Sequence, residues 1–232
     1  GYTTKIEKDV VISTWQSIYK MPRKYFDQFG CVIGDEAHMF KAKSLTGIMT
    51  KMHHCKYRFG LTGTLDGTQT HQLVLEGLFG AVEKVVTTKQ LIDKNTLAKL
   101  KIKCVILKHQ EIREKMTYAE ELEYLVTNEK RTDFVVNLLR HLNGNTLCLF
   151  QLVEKHGKIL NDKMKGSENV YFVYGGTDTS EREKIRGLVE KHTKSTTIAS
   201  YGTFSTGINI RNIHNIVLAS PSKSKIRVLQ SI

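Results

Sequence analysis

The chain has 232 residues, 40% of them hydrophobic and 25% charged with only two prolines, which excludes disordered and fibrous classes and gives length for two modest domains. A net charge of +12 points to a polyanionic partner, because lysine and arginine displace condensed counterions from a phosphate backbone. The lysines are scattered along the whole chain, however, so a solvated basic surface fits the same number.

The longest apolar runs, such as Val105 to Leu107 and Thr146 to Phe150, are strand-sized and far short of a membrane crossing, and Gly1 opens no secretory leader. Cys31, Cys55, Cys104 and Cys148 stand singly without a Cys-x-x-Cys pair, which predicts a reducing cytosol with neither a zinc site nor a disulfide framework. The cluster His53, His54 and Cys55 reads as packing and surface, with metal ligation the lesser alternative.

Short apolar runs alternate with helical patterns from end to end, the signature of an α/β fold with parallel sheets and crossover helices. In chain order, strands are predicted at Val10 to Ser13, Cys31 to Gly34 and Arg58 to Thr62. Between the last two, residues Ser44 to His53 place Leu45, Ile48, Met49 and Met52 on one helical face. The polar stretch Thr87 to Lys99 marks a junction, dividing the chain into domains 1–98 and 99–232, and a strand follows at Ile102 to Leu107. Thr117 with Glu120 three residues later predicts a capping box opening a helical region that reaches Leu142. The segment Thr127 to Asp133 is a candidate break, and Asn143-Gly144-Asn145 supplies the exit. Further strands are predicted at Thr146 to Phe150, Val170 to Tyr174, Thr197 to Ser200 and Ile216 to Ala219, with one intervening helix capped by Ser180 and Glu183.

The run Cys31 to Gly34 leads directly into Asp35-Glu36-Ala37-His38, so two carboxylates emerge at the carboxyl end of a strand, where open α/β sheets bind ligands. Asp35 is placed to hold Mg2+ through its water shell, and Glu36 to orient and deprotonate an attacking water. Adjacent acids at a strand end also fit a helix N-cap.

Residues Val32 to His38 resemble motif II of the DEAH-type helicases of superfamily 2, and later motifs of that family follow in order. Gly60-Leu61-Thr62-Gly63-Thr64-Leu65 resembles motif III, whose hydroxyls in that family link nucleotide state to domain closure; Gly63 stands where many relatives carry alanine, and the same residues fit a simple turn. Ser13-Thr14-Trp15-Gln16-Ser17 resembles the Thr-x-Gln-Ser element, which assigns Thr14, Gln16 and Ser17 to the nucleic-acid backbone. Trp15 is expected in the core in preference to a base-stacking platform. Leu147 to Gln151 resembles motif IV, and Tyr174-Gly175-Gly176-Thr177 the Tyr-Gly-Gly element, although either glycine also suits a strand-ending turn. Ala199 to Asn209 resembles motif V, which assigns Thr203 to strand phosphates and Gly207 and Asn209 to the nucleotide; Asn209 replaces the aspartate of many relatives. Gln230-Ser231-Ile232 resembles the opening of motif VI, with Gln230 facing the nucleotide.

The resemblance implies two RecA-like domains, the first incomplete, that close on ATP and Mg2+ while a nucleic-acid strand crosses both. It implies a monomeric cytoplasmic ATP-dependent helicase acting on single-stranded and branched DNA, with RNA in hybrids as a further partner and no membrane. His38 joins Asp35 and Glu36 in the catalytic set on the same ground. No Gly-x-x-x-x-Gly-Lys-Ser/Thr loop occurs in the sequence: the sole Gly-Lys pair, Gly157-Lys158, has Leu152 at the first glycine position and Ile159 at the hydroxyl position. The expectation is therefore an excerpt of a longer motor that does not hydrolyse ATP alone. A catalytically inert nucleic-acid binder or strand annealer is the alternative.

Overall fold

A computed structural model describes residues 8–40, 43–63, 69–108, 115–204, 210, 212–222 and 228. The chain divides into two compact units, Gly1–Ile102 and Lys103–Ile232.

In the first unit, α1 (Trp15–Ile18) and α2 (Arg23–Phe26) precede strand β1 (Cys31–Gly34), a 3-10 turn at Ala37–Met39 and helix α3 (Lys43–Lys51). Strand β2 (Tyr57–Gly60), α4 (Gln69–Phe79) and α5 (Thr88–Asp93) follow. The two strands pair in parallel, with Gly34 opposite Gly60. Leu45, Ile48 and Met49 of α3 are buried with Phe26, Phe40 and Leu75, as the 3.6-residue spacing predicts. The two glycines are packing residues. A Cβ on Gly34 would lie 2.9 Å from the Phe40 ring, and one on Gly60 would lie 3.0 Å from Phe79, so only bare backbone lets those rings cover the strand ends. Alternate strand residues point the other way, and Ile33 (63% exposed), Tyr57 and Phe59 leave that face of the sheet uncovered.

Two strand expectations fail in this unit and at its end. Residues 10–13 are not a strand, and Val10 and Ile12 lie exposed; residues 102–107 are likewise unpaired, with Ile106 exposed. Apolar alternation makes a strand only where a neighbouring edge accepts its hydrogen bonds, and no described strand does so here. The polar stretch after residue 86 instead forms α5, opened by a reciprocal capping box between Thr87 and Gln90.

The second unit starts with α6 (Tyr118–Thr127), where Thr117 and Glu120 make the expected capping box, and α7 (Glu129–His141). The break falls at Asn128, whose side chain caps α7 by accepting from the Arg131 amide. Strand β3 (Asn145–Phe150), a π-helical turn at Val153–Gly157, α8 (Lys158–Lys163), β4 (Val170–Val173), α9 (Thr179–Lys191), β5 (Ser195–Ser200), α10 (Tyr201–Phe204) and β6 (Asn215–Leu218) complete it. The cap of α9 is Asp178, whose Oδ1 accepts from the Ser180 amide at 2.8 Å, so the predicted cap Ser180 lies inside the first turn instead.

All four strands run parallel in the order β4-β5-β3-β6. Cys148 and Phe150 pack with Val135, Leu139 and Leu160 on one face, while Leu147 and Leu149 pack with Ile185 and Val189 on the other. This two-sided burial is why the run Leu147 to Phe150 is apolar at every position. Burial pushes the Cys148 thiol up to about 12, which keeps it protonated and inert. Asn145 closes the amino end of the sheet: its Nδ2, with two hydrogens to donate, lies within 3.0 Å of the carbonyls of Val189, His192 and Asn212, and its oxygen accepts from the Ser195 hydroxyl at 2.8 Å. Gly157 lies directly against the Phe150 ring, with no room for a Cβ. Gly157→Ala is expected to lower stability by about 1–3 kcal/mol through overpacking, read as a reduced midpoint in urea denaturation.

Candidate functional site

The acidic turn is built by β1 and β2 together. After Gly34 the chain leaves the sheet, and the Leu61 amide donates to the Gly34 carbonyl at 2.9 Å while the Ala37 amide donates to the Leu61 carbonyl at 2.8 Å. Glu36 sits between them in a left-handed conformation, φ 48° and ψ 49°. A β-carbon in that region costs roughly 1–2 kcal/mol, which the local bonds offset. Asp35 helps: its Oδ1 accepts the Glu36 amide at 2.9 Å. Both carboxylate residues are exposed at the carboxyl end of β1. Glu36 does not itself cap a helix through its side chain, so the N-cap reading of the two acids finds no support at that residue.

His38 is buried beneath the turn, 4% exposed, and its Nδ1 lies 3.0 Å from the Thr62 hydroxyl and 3.2 Å from Glu36 Oε2. Nδ1 therefore lies within hydrogen-bonding reach of Glu36 and Thr62 together, with donor and acceptor roles set by the imidazole tautomer. One side chain thus joins the acidic turn to the threonine after β2. Gly63 follows Thr62 with open space around its α-carbon. Thr64 lies outside the described residues, as do Gly207, Asn209 and Gln230.

Asp35 as a magnesium residue fits the chemistry of the donors. Mg2+ keeps most of its waters and takes one or two carboxylates plus phosphate oxygens, so a single exposed carboxylate beside a second acid is the appropriate protein contribution. Among the described residues no three acidic, histidine or cysteine side chains gather into a self-sufficient metal cage.

In the Thr-x-Gln-Ser element, Thr14, Gln16 and Ser17 are all exposed at α1, and the Thr14 and Ser17 hydroxyls lie 3.0 Å apart. Trp15 departs from expectation: it is 37% exposed, stands outside the unit's core and meets Tyr19 edge-on, ring centres 5.7 Å apart.

In the second unit a separate polar knot gathers the carboxyl ends of β3, β5 and β6. The Gln151 amide donates to the Ser220 hydroxyl at 3.1 Å, His156 Nδ1 lies 2.9 Å from the same oxygen, and the Tyr201 hydroxyl donates to the Ser220 carbonyl at 2.8 Å. Arg131, half-buried, donates to the neighbouring Ala219 carbonyl at 2.5 Å. Gln151 Oε1 and His156 Nε2 are buried without a partner. Thr203 is 5% exposed and its hydroxyl meets Ser200 at 2.6 Å, so it holds the turn after β5 and does not present a surface. Gly175 lies in open space, with its carbonyl accepting from Arg182, whereas a Cβ on Gly176 would lie 2.7 Å from the Tyr174 ring. Sequence reasoning missed Arg131, His156 and Ser220; the signal was a polar Ser220 closing an apolar strand just before Pro221.

Both units are α/β with parallel sheets, and the chain is similar to phage proteins described as helicases. Over 98% of its length the chain is 36% identical to the ATP-dependent DNA helicase uvsW of Enterobacteria phage T4, and over 93% it is 22% identical to the probable helicase D10 of Escherichia phage T5. Residues 1–67 match the family described as type III restriction enzyme, res subunit. The crystal structure of T4 UvsW aligns over 94% of this chain and 44% of its own, at 31% identity and a TM-score of 0.46. The chain spans about half the length of the curated relatives it matches, 47% in each case.

Proposed function

We propose that this chain is part of an ATP-dependent DNA helicase or translocase that remodels branched DNA such as forks, recombination loops and four-way junctions. The observation that carries the reading is the exposed Asp35-Glu36 pair at the carboxyl end of β1, tied through buried His38 to Thr62. In this reading Glu36 orients the attacking water and takes its proton, and Asp35 holds Mg2+ through water, the ion neutralising phosphate charge when bound. His38 positions Glu36 and passes its placement to Thr62, with Thr64 as the partner hydroxyl in coupling. Gly207, Asn209 and Gln230 serve the nucleotide, and Thr14, Gln16, Ser17, Gln151, Gly175 and Gly176 serve the strand. Burial of Thr203 supports a role beneath the strand-binding surface, not on it.

The test is phosphate release by the full-length protein that carries this chain, measured with forked DNA, a four-way junction, linear duplex and an RNA–DNA hybrid. Stimulation is expected to be largest with the branched substrates and to fall steeply with salt, because contacts go mainly to phosphates. A protein that releases phosphate at the same rate with and without DNA sinks the proposal. A strand annealer without an engine is the second reading; it requires annealing that proceeds equally with and without ATP.

A further inference from the structure

Trp15 is the sole tryptophan of the chain, and the structure exposes it although a lone indole has every hydrophobic reason to be buried. Its surroundings are ordered. Tyr19 stands edge-on against it, and the Lys20 ammonium lies 5.5 Å from the Tyr19 ring centre, so indole, phenol and cation form a row. Lys51 fixes the backbone beneath this row, its Nζ donating to the Tyr19 carbonyl at 2.7 Å and the Met21 carbonyl at 2.9 Å. Thr14, Gln16 and Ser17 lie exposed around the indole, and Lys20, Arg23 and Lys24 present cations over the next residues. Of the nearby acids, Asp27 faces His54 at 3.9 Å and Asp9 lies before the element.

An exposed aromatic braced by a second ring and bordered by basic side chains matches the chemistry of an unpaired base and its phosphate: a π-face for the base, an ammonium for the anion. A neutral apolar partner would not use the cations, and a purely electrostatic phosphate contact would not use the indole. We propose that Trp15 stacks on a base of single-stranded nucleic acid, with Tyr19 bracing the indole and Lys20 meeting the adjacent phosphate. Such a contact reads no sequence but registers an unpaired strand, because in duplex the faces of the bases are stacked on one another. The inference rests on the nucleic-acid reading above.

The Trp15 signal is read as the difference in emission between the full-length protein and its Trp15→Phe variant. A labelled oligothymidylate is titrated against the full-length protein, following label anisotropy for binding and indole emission for stacking. Emission is expected to be quenched in step with the anisotropy rise, while heparin, an anion without bases, raises no quench. Trp15→Ala is expected to weaken oligothymidylate binding roughly 5- to 150-fold, with Trp15→Phe retaining most of it. Binding by anisotropy with unchanged emission, or a quench equally produced by heparin, overturns the stacking contact and leaves the nucleic-acid reading standing. No anisotropy change at all overturns the reading on which it rests.

Discussion

Replacing Glu36 with glutamine is expected to abolish ATP turnover in the full-length protein while leaving nucleotide binding intact. The two side chains have the same shape, so the left-handed backbone at residue 36 and the bond from the Asp35 carboxylate to its amide persist. The glutamine amide, which both donates and accepts, also still pairs with His38 Nδ1, which lies 3.2 Å from the present carboxylate. What disappears is the capacity to take a proton from water, and loss of a positioned general base lowers rates by roughly 10²–10⁴-fold. Steady-state phosphate release measures the first effect and titration with a fluorescent nucleotide the second. Undiminished turnover in Glu36→Gln would remove Glu36 from the chemistry, and lost binding with lost turnover would make its role structural. The first result is the more damaging, since the proposed engine is centred on that residue.

The second large effect is a loss of stability in mild acid arising from His156. Burial, reinforced by the positive charge of Arg131, holds its imidazole down at about 4 against an ordinary 6.5. The unfolded chain therefore takes up a proton between these values that the folded chain refuses. The contribution to stability is fully present above about pH 6.5 and is lost as pH falls toward 4. A displacement of that size corresponds to about 3 kcal/mol over the window. Urea denaturation between about pH 7 and pH 4 is expected to show the fall, and His156→Gln to flatten it. Asp178 and Glu120, held low by their capping bonds, lose their contribution only further down, as pH drops through and below the ordinary carboxylate range. An identical pH slope in the variant would mean that His156 takes up its proton in the folded state.

What the sequence discloses is what local rules decide. The largely apolar run at 146–150 and the strand-forming segment at 197–200 announce strands, and Thr117 with Glu120 announces a helix start, because each feature needs only neighbouring residues. The acidic pair after β1 is legible for the same reason. What depends on distant partners is hidden. The runs at 10–13 and 102–107 carry strand-forming residues but find no paired edge, and Trp15 has a core residue's chemistry without a core contact. Ser220 is 69 residues from Gln151 and 64 from His156, so no window along the chain displays the knot they make. His38 and Thr62, 24 residues apart, come together only because β1 and β2 pair in register.

Asn145 gives the second unit two unlike sheet ends. Three carbonyls and one hydroxyl converge on its side chain, fastening β3 to the exits of α9 and the segment before β6 in one node. At the far end of the strands, roughly 20 Å away over six residues, Gln151 and His156 retain unspent hydrogen-bonding capacity. The sheet is thus finished differently at its two ends: the amino end by a side chain whose oxygen and nitrogen are both engaged, the carboxyl end by a knot in which Gln151 Oε1 and His156 Nε2 stay unpaired.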